Sequence, residues 1–422
     1  MRVHLDYGSD GLGVDLPDDR TEVVTPRHEP ALADPAAALA DALAAPVGRP
    51  PLAGLVRSAH RIAISVCDVT RAQPRQAMLE ALFAAMPGHR PERVTILVAT
   101  GTHRANTPDE LVAMLGHSIV DTYRVINHDA RDEAALAFAG ETPSGVPVWL
   151  NRHWLDADIR ITTGFVEPHF FAGFSGGPKM VAPGLAGLAT TLVLHDARHI
   201  GHPKATWGIT EGNPVHDDVR AIARMTGVTF ALDVALNRDQ AITKVFAGEL
   251  FAEHAAACAH VKRVSMRPVA APFDVVLTTN SGYPLDQNLY QAVKGMSAAA
   301  GIVKEGGTIV CAVECRDGIP DHGPYGRLLR ERRSAAELLE MVEAPGFAEQ
   351  DAWQVQVQAM IQRKARVLVK AGGLSQDQLR AAHFEPVTDV GMAVRQALGA
   401  AGAGATLAVL PHGPQTIPYV AT

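Results

Sequence analysis

Cysteine, membrane-length apolar runs and blocks of like charge are all scarce in this chain, and each scarcity narrows what the protein can be. Only four cysteines occur in 422 residues. Cys67 and Cys258 stand alone, while Cys311 and Cys315 lie at the end of a strand-like run, where side chains two or four apart share a face. They read as structural thiols, with a metal or disulfide use as the alternative. No apolar stretch approaches the roughly 20 residues a membrane helix needs. The opening MRVHLDYGSDGLGVDLP lacks the apolar block of a secretory signal, so a cytoplasmic protein without membrane contact is expected. Lys and Arg number 38 against 45 Asp and Glu, a net charge of −7 spread without runs, which speaks against a nucleic-acid surface. What is present is 47% hydrophobic and 20% charged residues, a globular composition. At roughly 150 residues per domain the length suggests two or three domains.

The apolar runs 61–67 and 93–99, separated by helical spacing over 75–86, form a strand, helix, strand unit. Further strands are expected at 123–127 and 158–163, the latter leading into a segment dense in Gly and Pro. The pattern restarts with a strand at 273–279, a helix from about 287 to 301 and a strand at 307–314. Strands at 366–372 and 405–411 follow, with helical stretches near 375–383 and 389–400; the Ala-rich stretch 36–45 reads as an ordinary helix. The fold class is α/β, with two α/β domains and largely parallel sheets whose ligands gather at the loops leaving the strands. Prolines in SMRPVAAP place the boundary, giving domains 1–268 and 269–422, with the last residues able to pack back on the first domain.

Three loops concentrate polar groups that a core would not use. In DVTRAQP (68–74), Asp68 and Thr70 can cap the following helix, whereas the guanidinium of Arg71 suits a carboxylate or phosphate. In ATGTHR (99–104), Gly101 permits a tight turn and His103 projects where a ligand binds, the plain alternative being an exposed or capping His. The third, GFVEPHFFAGFSGGPKMVAPGLAG (164–187), holds six glycines and three prolines around His169 and Lys179. Its glycines permit close approach of backbone to a ligand. It is not a Walker A loop, because Pro178 precedes Lys179 and Met180 follows it, nor is it GxGxxG. A lysine among Met180, Val181 and Ala182 would lose solvation and become a nucleophile or covalent tether. Next, His195 and His199 lie four apart and would share a helix face, a metal-capable spacing, although HDARH is not HExxH and the pair could arise by chance. In the second unit Tyr290, Gln291 and Lys294 can face one side of a helix as a polar cluster suited to an anion.

ATGTHR, EPHFFAGFSGGPK, the His sixteen positions after that Lys, and LYQAVKG together resemble the lactate racemase family, in order and spacing over nearly the whole chain. The resemblance implies a racemase or epimerase of a small 2-hydroxy acid. It implies a nickel-pincer nucleotide, a pyridinium-3,5-bisthiocarboxylic acid mononucleotide carrying nickel, supplied by cofactor-biosynthesis enzymes. Hydride would pass reversibly to that cofactor through a bound 2-keto acid. By the same resemblance Lys179 is the tether and His195 the nickel ligand, and His103 and His169 are the acid/base pair flanking the substrate. Asp68, Arg71, Ser175, Gly176 and Gly177 are implied around the cofactor. Arg71, Tyr290, Gln291, Lys294 and, in DAWQVQ, Trp353 are implied around the substrate. Motifs on both domains imply an active-site cleft between them that closes over the substrate. Two near-neutral histidines suit a racemase, which must handle both faces of one carbon. One departure is Pro178, where family members read Arg in Ser-Gly-Gly-Arg-Lys; the choice among lactate, malate, aryl-lactates and sugar acids stays open. Other readings are a zinc hydrolase using His195 and His199, and a non-catalytic binder of nickel or a nucleotide.

Overall fold

A computed structural model describes residues 1–320 and 323–421. They divide into two compact units. The central unit comprises His28–His195 and Lys204–Lys262; the terminal unit comprises Met1–Arg27, Asp196–Pro203 and Arg263–Thr422.

The central unit is built on a six-stranded sheet in the order Ile242–Gly248, Phe230–Leu236, Ile159–Phe165, Ile62–Cys67, Val94–Ala99, Arg124–Asn127. All neighbours run parallel except the first pair. Every residue of Ile62–Cys67 is buried. That is what a central parallel strand covered on both faces requires, and why it reads as an apolar run interrupted only by Ser65, whose hydroxyl donates to the Met180 carbonyl. On one face Ile64, Val66, Ile96 and Val98 pack with Met78, Leu79 and Leu82 of the helix Arg75–Ala84. On the other, Ala63 and Leu97 join Trp154, Leu185 and Ile222.

The terminal unit carries a second six-stranded sheet, wholly parallel, in the order Glu385–Pro386, Arg366–Ala371, Val303–Val313, Phe273–Thr279, Leu407–Leu410, Thr21–Val23. Its core joins Val275, Leu277, Val310 and Val409 to Val394 and Leu398 of the helix Val390–Ala401 and to Leu5 and Val14 of the N-terminal hairpin. The α/β class with parallel sheets holds. The division differs from the expected 1–268 and 269–422, because Thr21–Val23 pairs with Leu407–Leu410 and takes residues 1–27 into the terminal unit. The last strand, Ile417–Val420, pairs with Met266–Val269, also within that unit. All four cysteines are buried and free, as structural thiols are.

Candidate active site

In the central unit the loops leaving three neighbouring strands are tied together by named contacts. After Ile62–Cys67 the chain turns at Asp68, whose carboxyl is 3% exposed. It does not cap the next helix: Arg75–Ala84 starts after Pro74 with no side-chain cap. Instead Asp68 Oδ1 accepts from Thr70 and Oδ2 lies 2.7 Å from Nδ1 of His103, in the loop after Val94–Ala99. Burial alone would raise the Asp68 carboxyl, but the hydrogen bonds and charges of His103, Arg71 and Thr70 outweigh it and hold it below its ordinary value. An ionised Asp68 keeps a proton on His103 Nδ1, which leaves the Nε2 lone pair of the neutral ring as a base.

Arg75 was not singled out from the sequence, where it reads as a residue of an amphipathic helix. Its guanidinium is buried and donates to the carbonyls of Cys67, Gln73, Asp68 and Arg71, so it clamps the whole 67–73 loop from inside. Asn106 completes the brace by accepting the Val69 N–H at 3.0 Å. Arg71 is half-buried beside this loop, and its side chain makes no hydrogen bond or ion pair among the described residues. A guanidinium so placed suits an incoming anion.

The Gly-rich segment after Ile159–Phe165 folds back as a short hairpin, Pro168–His169 against Gly173–Phe174. At its turn sits Phe171, a buried ring that sequence reasoning passed over. Its centroid is 4.5 Å from that of His169 and 5.1 Å from that of His195, each edge-on, and Lys179 Nζ lies 5.7 Å from it. Three expected site residues thus converge on one aromatic side chain. Lys179 rides a single turn, Gly177–Met180, and is half-buried rather than fully desolvated. His169 Nδ1 faces the backbone N–H groups of Phe171 and Ala172, at 3.5 and 3.3 Å. It therefore accepts there, and the neutral ring carries its proton on Nε2. His103 and His169 are held in opposite tautomers.

His195 ends the helix Leu188–Leu194, and its Nδ1 lies 2.8 Å from the Thr191 carbonyl. Donation to that carbonyl places the ring's lone pair on Nε2, the arrangement of a metal-binding imidazole. The expectation that His195 and His199 share a helix face fails. The helix stops at Leu194, and Asp196 caps a separate short helix, Ala197–Ile200, accepting the His199 N–H at 2.8 Å and holding the His199 ring at 2.7 Å. The HDARH motif is a helix break closed by a cap. With the shared face goes the geometric basis of the zinc hydrolase reading.

Ser175 and its glycines are engaged by buried protein groups. The Ser175 hydroxyl accepts from the Glu167 N–H and donates to the Phe165 carbonyl, stitching the hairpin base. A Cβ on Gly176 (φ +71°) would meet Phe165 O at 2.9 Å and Asp233 Oδ2 at 3.0 Å, and one on Gly177 (φ +47°) would meet the His254 ring at 2.5 Å. Both glycines admit buried protein groups beneath the turn.

In the terminal unit, Tyr290, Gln291 and Lys294 are half-buried on the helix Leu289–Ala300, whereas Ala292, Val293, Gly295 and Met296 between them are buried. Trp353, on the helix Ala352–Lys364, donates its indole N–H to Tyr290 Oη at 3.1 Å. The sequence expectation of one shared side holds for these residues, and Trp353 joins Tyr290 directly.

Models of the lactate racemase N-terminal and C-terminal domains match residues 7–208 and 269–417. The chain is 32% identical over 422 residues to the lactate racemase of Thermoanaerobacterium thermosaccharolyticum, covering 98% of each chain. It is 36% identical over 370 residues to that of Lactiplantibacillus plantarum, 87% of each. The structure of the lactate racemase apoprotein from T. thermosaccharolyticum matches with a TM-score of 0.93 at 31% identity, over 99% of this chain and 100% of that one. A structure from Thermotoga maritima, 18% identical with a TM-score of 0.68 over 94% of this chain and 100% of that one, shares the fold. The parallel α/β architecture together with these relatives defines an isomerase of the racemase class. Within that class, the chain belongs to the lactate racemase family.

Proposed function

We propose that this chain racemises or epimerises a 2-hydroxy acid, lactate or a close analogue, on a nickel-pincer nucleotide delivered by cofactor-making enzymes in the cytoplasm. The carrying observation is the setting of two histidines that each leave Nε2 to a ligand: His103, with Nδ1 against Asp68, offers a lone pair there, and His169, with Nδ1 against backbone N–H groups, offers an N–H. Racemisation of one enantiomer needs both at once, a group to take the hydroxyl proton and another to return one after the carbon has changed face. The histidine that returns the proton does so as imidazolium and is left neutral while the other becomes imidazolium, so for the opposite enantiomer the roles exchange.

The residues fit the proposed cofactor. A metal whose other ligands come from an organic pincer needs one protein donor, and His195 has its Nε2 lone pair fixed by Thr191. An amine that forms an amide-like tether must stand beside a flat organic group, and Lys179 lies over the Phe171 ring near both His169 and His195. His195 and Lys179 would hold the group, which when bound supplies a reversible acceptor for the C2 hydride. The chain's own part is to orient and to move protons. Arg71 pairs with an anionic carboxylate or phosphate, Asp68 fixes the His103 ring, and the two histidines exchange the hydroxyl proton. In the terminal unit Tyr290, Gln291, Lys294 and Trp353 are the proposed substrate contacts.

The test is a panel of chiral 2-hydroxy acids offered to protein made together with the cofactor-making enzymes, with enantiomer ratios read by chiral chromatography. Interconversion of at least one acid is expected. Holo protein with nickel and a mass adduct on Lys179 that racemises none of them would overturn the proposal.

A further inference from the structure

Beneath the turn that carries Lys179 lies a pair of acids that touches no proposed ligand. Asp233, on the strand Phe230–Leu236, and Glu253, on the helix Leu250–Ser265, are both 0% exposed. Asp233 Oδ2 accepts the Gly177 N–H at 2.7 Å, and Gly164 is its register partner on the adjacent strand. The glycines are moulded on it: a Cβ on Gly164 would stand 2.8 Å from Asp233 Oδ1, and one on Gly176 3.0 Å from Oδ2. Three buried oxygens have no hydrogen-bond donor among the described residues, namely Asp233 Oδ1 and both oxygens of Glu253.

We infer that Asp233 and Glu253 share one proton, carried by Glu253 and donated to Asp233 Oδ1, and that this pair positions the turn bearing Lys179. A single proton removes the second buried negative charge and gives Asp233 Oδ1 a donor, leaving Oδ2 for the backbone. The surroundings offer no better home for it. Burial, then Asp233 and Glu249, push the Glu253 carboxyl up. Burial, with the charges of Arg220 and Lys179, drives His254 down to about 4; burial and His254 drive His216 to about 3, so both rings stay neutral. Cys258, 3.5 Å from His254 Nε2, stays a thiol because burial raises it. His254 Nε2 lies 2.8 Å from the Ser175 carbonyl, and His216 bonds the Ala172 carbonyl. Asp233 and His254 thus meet the Gly177 N–H and the Ser175 carbonyl at the start of the turn. These are positioning residues, acting on Lys179 through the backbone.

The test uses the chain without cofactor, so its outcome is independent of the nickel reading. At about pH 8, where ordinary carboxyls are ionised, infrared spectra should show a protonated-carboxyl C=O band that Glu253→Gln removes. Hydrogen exchange over residues 164–180 should match wild type in Glu253→Gln, whose amide still donates, and speed up several-fold in Asp233→Asn and Glu253→Ala. A raised folded pKa means the stability from this pair is complete below the ordinary carboxyl range and lost as pH rises through the folded value. Wild type, and not Glu253→Gln, should therefore lose melting temperature toward alkaline pH. If Glu253→Ala does not fold, the comparison of wild type with Glu253→Gln decides. No band lost in folded Glu253→Gln, or unchanged exchange in folded Asp233→Asn, would overturn the inference.

Discussion

His103 Nδ1 lies 2.7 Å from Oδ2 of Asp68, a residue 35 positions earlier in the chain. The pair joins two loops that leave adjacent parallel strands, Ile62–Cys67 and Val94–Ala99. Because the carboxylate is buried and the imidazole is 48% exposed, the buried member fixes the orientation of the exposed one.

Asp68→Asn keeps the shape and removes the charge. Turnover is expected to fall on the order of 10²-fold, the effect of disabling a positioned general base. The Asp68 carboxyl is held low, so its contribution to stability is present above the ordinary carboxyl value of about 3.9 and is lost as pH falls through the lowered folded value. Asp68→Asn should therefore be less stable than wild type at neutral pH and converge with it in strong acid, as read by urea denaturation across pH.

His103→Ala and His169→Ala should each cut turnover by about 10²-fold or more while the cofactor stays bound. Both steady-state directions must fall together, since the equilibrium between enantiomers is fixed. In a single half-reaction followed by rapid mixing, one enantiomer should still give the 2-keto acid in one variant and the other enantiomer in the other. Loss of the same enantiomer's half-reaction in both variants would reject the two-base assignment.

Nickel should depart with His195→Ala and remain with His199→Ala, whose ring is engaged by Asp196. Metal analysis of the two proteins tests this, and equal retention would contradict it. Lys179→Ala should show no mass increment on the chain under conditions where wild type does.

Arg75→Leu should destabilise the protein by about 3 kcal/mol, because it strips a donor from the carbonyls of Cys67, Asp68, Gln73 and Arg71. Chemical denaturation measures the loss. Turnover should fall as well, since the Asp68 loop is what the guanidinium holds.

The central strands were legible because each is covered on both faces and so is nearly all apolar, Ser65 and Thr95 excepted; the expected runs 61–67 and 93–99 appear as Ile62–Cys67 and Val94–Ala99. Thr21–Val23 was not legible, being three residues long with no buried position to mark a face. Among the candidate site residues, His103, His169 and Lys179 stood out as polar groups in loops, and His195 by its spacing from His199 and Lys179. What lies beneath Gly176 and Gly177 was not legible, because a glycine records only that something comes close, and here Asp233 and His254 do. Arg75 and Phe171 carried no signal, since a buried guanidinium bonded to carbonyls and a buried ring look in sequence like any helix or core residue. The break between His195 and His199 was hidden because periodicity cannot distinguish one helix from two that abut at a cap.

The parallel pairing of Thr21–Val23 with Leu407–Leu410 also sets an order of events during synthesis. The edge strand leaves the ribosome first and finds its partner only after nearly all of the chain has followed. The central unit, contained within residues 28–262, has its full sheet long before then. A domain can fold as a unit while the chain is still growing. The N-terminal strand must meanwhile wait unpaired with its partner, and a bulky fusion ahead of it would burden the last unit to be completed, the one to which residues 1–27 belong.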